Sequence, residues 1–380
     1  MNRLLISLAL ALAATLGACS EKTASKPAES AAPATVKIGA ALSLTGAAAS
    51  YGGQQKAGLM AAVEEVNASG VLPLKLELIV EDDASTKEQG IAVFQKLINR
   101  DKVAVIIGPT LSNTASAADP LAQQAGVPVL AISNTAAKGI TDIGDHIWRD
   151  SLMEAQVIPG AFKKAQEKLG FKTAGILYGN DDVFTKAGYD VMQKVLADLT
   201  VTVTGTQTFA KADRDYNAQL TALIGGKPDV LVVSALADNA AAIVSQARQQ
   251  GWTGPILGGN GFNSPAFIKN AGAAAEGVLV GTSWDSTSQS PANQKFLAVL
   301  AKRKIEPDQF SAQAFTSIYI IAEAIKQAGG KAGREDINAG FAKVKELETP
   351  LGKFSFTEAR DASHAPTVQT VKGGKFQILQ

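Results

Sequence analysis

Residues 105–134 read VIIGPTLSNTASAADPLAQQAGVPVLAISN, and residues 231–260 read LVVSALADNAAAIVSQARQQGWTGPILGGN. Laid side by side, both run through a strand, a turn, an Asn-bearing helix start, an Ala-rich helix closing on Gln-Gln, a Gly and a second strand. A strand–helix–strand step met twice predicts two lobes of one topology, related by an approximate two-fold axis. Outward from this pair, short β-branched runs at 36–42, 74–80, 103–107, 127–132, 173–178, 201–209, 230–233 and 277–282 alternate with stretches of helical period. The segment 54–67 is one of these, with Leu59, Met60, Val63 and Val66 on a single face. Apolar strands separated by crossover helices predict parallel sheets covered on both faces, the α/β doubly wound class. From residue 36 onward the chain is too long for one core, so two lobes are also what its size requires.

The first residues concern location. Arg3 precedes an uncharged apolar run at 4–16, too short to span a bilayer and the right size for the core of a secretory signal. The run meets Leu16-Gly17-Ala18-Cys19, which resembles a bacterial lipobox and contains the sole cysteine of the chain. Residues 1–18 are therefore expected to be a lipoprotein signal peptide, with Cys19 diacylated and a second acyl chain making the anchor stable. Residues 19–35, rich in Ala, Ser, Pro and charge, read as a flexible tether. With Cys19 modified no thiol remains for a disulfide or a metal.

The charge balance, 36 Lys+Arg against 35 Asp+Glu without a basic block, gives no footprint for nucleic acid. Enzyme chemistry finds no foothold either. The two histidines, His146 and His364, lack metal-ligand spacing; there is no Walker loop and no Gly-x-Ser-x-Gly elbow, and 258–261 (GGNG) is not a dinucleotide fingerprint. The expectation is a protein without cofactor, metal or catalysis. In doubly wound sheets ligands sit beyond the carboxyl ends of the strands. Tyr51, Ser112, Ser133, Thr135, Phe184, Asp238 and Asn260 fall there, mostly small polar or aromatic residues suited to binding.

Six segments, in order, carry a resemblance: 38–58 (IGAALSLTGAAASYGGQQKAG), 80–85 (VEDDAS), 105–113 (VIIGPTLSN), 127–136 (VPVLAISNTA), 176–188 (ILYGNDDVFTKAG) and 310–325 (FSAQAFTSIYIIAEAI). From residue 36 to the end the chain resembles the leucine/isoleucine/valine-binding proteins of ABC importers. The resemblance implies the type I periplasmic-binding (Venus flytrap) fold, with three crossovers near Leu152, Asp285 and Arg360. The first lobe is then 36–152 with 286–360, the second 153–285 with 361–380.

It further implies that the Ser112 hydroxyl and the adjacent backbone N–H at Asn113 meet a ligand carboxylate. Ser133 and Thr135 stand where a backbone carbonyl and a Thr hydroxyl would meet the ammonium and the carboxylate respectively, with Asn134 between them also expected at the ligand. Tyr51 and Phe184 would be aromatic walls. Asn260 stands where amino-acid-binding members place an acid. The internal repeat sets Asp238 opposite Ser112, so Asp238 is expected to take the ammonium of a small neutral amino acid, with Asn260 adding a hydrogen bond. The implied setting is a monomer in the periplasm, anchored to a membrane by lipid and serving an ABC permease and its ATPase. Ser20 leaves outer-membrane sorting open. A binder of an aromatic carboxylate or amide, and a ligand-sensing receptor on the same fold, remain as alternatives.

Replacing Cys19 with Ala is expected to yield a soluble or unprocessed protein in membrane fractionation; attachment equal to that of the parent would contradict the lipobox reading.

Overall fold

The computed structural model of the chain describes residues 34–379, so the expectations for the signal peptide, Cys19 and most of the tether lie outside the described residues. Five strands, β1 (Thr35–Leu42), β2 (Lys75–Asp82), β3 (Val105–Ile107), β4 (Val129–Ala131) and β5 (Ile147–Arg149), form a wholly parallel sheet of order β2-β1-β3-β4-β5. A second sheet takes β6 (Thr173–Gly179), β7 (Thr202–Phe209), β8 (Val230–Ser234), β9 (Ile256–Gly258) and β10 (Leu279–Thr282), all parallel. A small antiparallel sheet of β11 (Leu347–Thr349), β12 (Gly352–Phe356) and β13 (Ala362–Ser363) follows. The last strands, β14 (Thr367–Lys372) and β15 (Lys375–Ile378), return to the second sheet and run antiparallel at its edge. The two lobes of α/β parallel sheet expected from the repeat are thus present, with 105–134 and 231–260 occupying β3 to β4 and β8 to β9.

The reason for parallel pairing is burial. Every residue of β3, β4, β8, β9 and β10 is shielded from solvent, as strands sandwiched between helix layers must be. The first lobe's layers are α1 (Ala49–Ser69), α2 (Lys87–Gln95) and α3 (Ser112–Gln124). The second lobe's are α4 (Glu154–Leu169), α5 (Val183–Asp198), α6 (Asn217–Gly225), α7 (Ala237–Gln249) and α8 (Pro265–Ala271). The chain then returns with α9 (Pro291–Lys302), α10 (Gln309–Gln327) and α11 (Arg334–Phe341) to cover the first sheet. Ile38 and Val105 share one buried cluster with Leu59 of α1 and Phe315, Ile318 and Ile321 of α10. Gly58 makes this contact feasible, since a Cβ there would come within 2.3 Å of the Ser311 carbonyl oxygen. Among the described residues no helix is long and apolar enough to cross a membrane.

Two edge features were not read from sequence. The hairpin β14–β15 turns through Gly373 (φ 60°) and Gly374 (φ 71°), the left-handed pair that a two-residue hairpin turn demands. The strand β5 is only three residues long, too short for any period to show.

The crossovers are clasped by one buried ion pair. Arg149, fully buried at the end of β5, holds Asp361 through Nε at 2.9 Å, and its Nη1 donates to the Asn134 carbonyl at 3.0 Å and to that of Ala136. The guanidinium therefore ties the first crossover to the third, and both to the loop 133–136. Removing one partner of a buried pair strands the other charge in a low dielectric. Asp361→Ala is expected to lower unfolding free energy in urea melts by about 3–5 kcal/mol; a loss below about 1 kcal/mol would mean that Arg149 is otherwise satisfied.

Candidate functional site

Helices α3, α5 and α7 all begin where a parallel strand ends, so their first N–H groups have no carbonyl behind them and face the gap between the lobes. Two of the three starts are engaged across that gap. The Val183 N–H at the start of α5 donates to Asn113 Oδ1 at 2.9 Å, and Asn113 Nδ2 donates to Asp182 Oδ2 at 2.9 Å. The Ala237 N–H at the start of α7 donates to the Tyr51 hydroxyl at 2.6 Å, which in turn donates to the Gly261 carbonyl at 2.7 Å. Burial pushes the Tyr51 phenol far above its ordinary range, so it keeps the proton it donates. The third start differs. Leu111 is the cap of α3 and Ser112 its first helical residue; the buried Ser112 hydroxyl caps nothing and has no hydrogen-bond partner.

Ser112 lines a cavity with Thr110, Leu111 and Ser133 from the first lobe's loops, Tyr51 and Phe310 from its helices, and Phe184, Leu236, Asn260 and Gly261 from the second lobe. The space they enclose admits the centre of a water-sized sphere over about 20 Å³, room for about one water molecule. Tyr51 and Phe310 lie ring to ring at 4.4 Å. Gly261 lets its own loop pack against Ala235 and Phe184: a Cβ there would stand 2.3 Å from the Ala235 carbonyl oxygen and 3.2 Å from the Phe184 ring. A larger groove of about 530 Å³ opens beside Trp284, Ile268 and Phe376. None of the residues expected to hold a ligand lines it, so the smaller cavity is the candidate site. Trp284 donates to Asn293 Oδ1 and packs on Phe296, as a crossover residue should.

The supports of Ser133 come from the first lobe. Its hydroxyl donates to the Thr110 carbonyl at 2.7 Å and accepts from Gln55 Nε2 at 2.8 Å, while Gln55 Oε1 accepts from the Thr110 hydroxyl. Thr110 Oγ1 in turn accepts the Ser43 N–H. Thr135 points to the second lobe, its hydroxyl 3.3 Å from Oε1 of Glu154, the first residue of α4. The same oxygen lies 3.3 Å from the Asn260 N–H. The Asn260 side chain accepts from Gln309 Nε2 at 2.8 Å and from Asn263 Nδ2 at 2.9 Å. Gln309 itself joins the lobes, since its Oε1 accepts from the Ser283 N–H and the Thr282 hydroxyl.

Of the residues expected at the site, Tyr51, Ser112, Ser133, Phe184 and Asn260 are brought together, and Thr135 lies beside them. Asp238 is not. It is exposed on the first turn of α7 and accepts from Asn270 Nδ2 of α8 at 3.0 Å, so the expectation that it projects into the cleft is corrected. Asn113, expected to offer its backbone N–H, spends both ends of its side-chain amide on Asp182 and Val183, a tie between lobes that leaves the N–H expectation as it stood. Asn134 is corrected too: its side chain is fully buried in the first lobe and does not line the cavity, while its carbonyl accepts from Arg149. Glu154, Gln309, Thr110, Gln55 and Phe310 were not singled out from sequence. Phe310 opens a segment whose apolar content reads as a buried helix. Glu154 comes from a crossover, where no strand-end rule points.

Glu154 is the least settled charge here. It is 1% exposed, Oε2 has no partner, and burial raises its carboxyl to about 7, opposed only by the Asn260 N–H and the Thr135 hydroxyl. Among the described residues no cluster of His, Cys, Asp and Glu is arranged to hold a metal.

Comparison with known proteins agrees with this fold. The family model described as periplasmic binding protein matches residues 35–375. A leucine-, isoleucine-, valine-, threonine- and alanine-binding protein of Pseudomonas aeruginosa is 28% identical over 330 residues, covering 86% of this chain and 87% of that protein. The crystal structure of the branched-chain amino acid transporter substrate-binding protein LivJ of Streptococcus pneumoniae in complex with isoleucine superposes with TM-score 0.85 at 28% identity, covering 91% of this chain and 99% of the other. A leucine-binding protein, LivK, of Thermotoga maritima gives TM-score 0.86 at 26% identity, covering 91% and 98%. A benzoate complex of a solute-binding protein from Rhodopseudomonas palustris, at 23% identity, TM-score 0.82 and covering 91% and 95%, shares the fold.

The raised Glu154 carboxyl sets a stability slope. Its stabilising contribution is full below about pH 4.5 and is lost as pH rises through about 7, because the folded state holds the proton more tightly than the unfolded chain. Buried His364, lowered to about 4, acts in the opposite sense, losing its contribution as pH falls from about 6.5 through 4. The difference between parent and Glu154→Gln isolates the first effect. Relative to the parent, the variant should gain stability between pH 4.5 and 7.5 by on the order of 3 kcal/mol in denaturant melts; a pH-independent difference would be the contrary result.

Proposed function

The chain belongs to the periplasmic binding protein family, and we propose that it is the extracytoplasmic solute-binding lipoprotein of an ABC importer, capturing a small neutral amino acid of branched-chain type between its lobes. The observation that carries the reading is the Ser112 hydroxyl, buried and unpartnered at the start of α3 inside a cavity walled by both lobes. A helix start with a free hydroxyl is a seat for a carboxylate. Tyr51, Phe184 and Phe310 offer apolar surface for a short side chain. The names of the Pseudomonas aeruginosa and Streptococcus pneumoniae relatives support the same ligand class.

In this account the cavity is too small for an amino acid, so the lobes part at the crossovers to admit one. Closure then replaces the water on the ligand's polar groups with fixed dipoles. A permease distinguishes the closed shape from the open one, and that is how binding becomes transport. Anchoring through Cys19 keeps the protein at the membrane surface where its permease lies. Binding without chemistry is sufficient for this role.

The tilted Tyr51–Phe310 pair favours one second reading, an aromatic carboxylate lying against these rings. A thermal-shift panel separates the two, because a ligand that binds only the native state raises its melting temperature. L-leucine, L-isoleucine and L-valine are expected to stabilise the protein, and benzoate and 4-hydroxybenzoate are not. Stabilisation by the aromatic acids alone would overturn the amino-acid reading. Ser112→Ala should weaken amino-acid binding about 10-fold to 100-fold, the range for a hydrogen bond to a charged group. Because that hydroxyl has no partner within the protein, the variant without ligand should melt within about 2 °C of the parent.

A further inference from the structure

We propose that Glu154 receives the ammonium group of the ligand, reaching the cleft from the first crossover; this rests on the amino-acid reading above. An amino acid enclosed between lobes brings two charges, and each must find a partner. The start of α3 serves the carboxylate. For the ammonium the nearby acids can be taken in turn. Asp182 holds Asn113 and caps α5 by accepting the Thr185 N–H. Asp83 is bound by the Ser43 hydroxyl and the Ser85 N–H. Asp238 faces outward to Asn270.

Among the acids where the lobes meet, Glu154 is the one that is buried and held by no short hydrogen bond; Asp119 and Asp150, also buried with unpartnered oxygens, share no hydrogen bond with the second lobe. Oε1 is 3.3 Å from the Thr135 hydroxyl and 3.3 Å from the Asn260 N–H, both at the long end of hydrogen bonding. Oε2 has no partner. These two neighbours come from opposite lobes, so the carboxyl lies where the lobes meet, and Asn260 also lines the cavity. Gly259 of the second lobe lies beside it: a Cβ there would stand 3.7 Å from Oε2, an ordinary contact distance. The position at the first residue of α4 favours an anion once a counter-charge arrives.

The protonation chemistry agrees. Burial raises the carboxyl to about 7, so at neutral pH about half of the molecules carry its proton. Tyr51, Asp182 and Asp238 are the other titratable groups whose charges reach this cleft; neither Tyr51, Asp182 nor Asp238 shares a hydrogen bond with Glu154. An arriving ammonium keeps its own three protons and stabilises the carboxylate, so the carboxyl proton leaves to solvent. Binding of the amine thereby releases a fraction of a proton at pH 7.

The test is titration calorimetry of the parent, Glu154→Gln and Asp238→Asn with L-leucine and L-valine, each paired with its des-amino acid, 4-methylpentanoate and 3-methylbutanoate. Glu154→Gln is expected to weaken the amino acids by about 100-fold or more and to leave the des-amino acids within about threefold, which a merely structural role would not do. Asp238→Asn should change neither. In the parent, amino-acid binding at pH 7 should show a heat that varies with the ionisation enthalpy of the buffer, and des-amino-acid binding should not. The proton release decides the matter if Glu154→Gln fails to fold; its absence would overturn the inference. Undiminished amino-acid affinity in a folded Glu154→Gln would overturn it and leave the amino-acid reading standing. A parent protein that binds the des-amino acids or benzoate and no amino acid would overturn both.

Discussion

One phenolic oxygen, that of Tyr51, is shared by the two lobes, and the rest of the cleft is arranged around it. It accepts from the start of α7 and donates to the loop after β9, so both hydrogen-bonding directions of the hydroxyl point into the second lobe while its ring belongs to the first. The phenol reaches that far because Gly52 lets α1 press on Ser43, where a Cβ would stand 2.0 Å from the carbonyl oxygen. Asn113 repeats the arrangement at the start of α5. The spacing of the lobes is thus fixed by polar groups at helix starts, whose N–H donors need partners in any state of the protein.

That requirement makes opening and closing a competition between partners. With the lobes together, Tyr51, Asn113 and Gln309 satisfy donors that water satisfies when the lobes part. A ligand need only tip this near balance, which requires differential affinity for one arrangement over the other. The crossovers are not part of the competition. Arg149, with Asp361 and the carbonyls of Asn134 and Ala136, stays satisfied by groups that move together. In the proposed opening it would hold the 133–136 loop steady.

Much of the fold was legible because burial on both faces leaves a plain trace: runs such as 230–233 (VLVV) have no alternation and only a central parallel strand uses them. The repeat at 105–134 and 231–260 carried the two-lobe organisation for the same reason. Edge pieces were less legible, since β5 has three residues and β15 only four, too few for a period to stand out. At the cavity, the lining residues that follow strand ends, Ser112, Ser133, Phe184 and Asn260, were within reach of a rule. Asp238 misled because α7 already begins at Ala237, and that one-residue phase turns the carboxylate outward. Glu154 and Gln309 escaped notice because a crossover and a returning helix supply them, and no local pattern announces which chain segment will come back to a cleft.

The order of the elements along the chain has a kinetic meaning. The first lobe's sheet is covered by α10, and the second lobe's sheet is bordered by β14. Neither core can therefore close on an N-terminal fragment, because each waits for residues past 308 or past 366. Contacts of such long sequence separation form slowly. A nascent chain built this way completes neither core until nearly all of it is available.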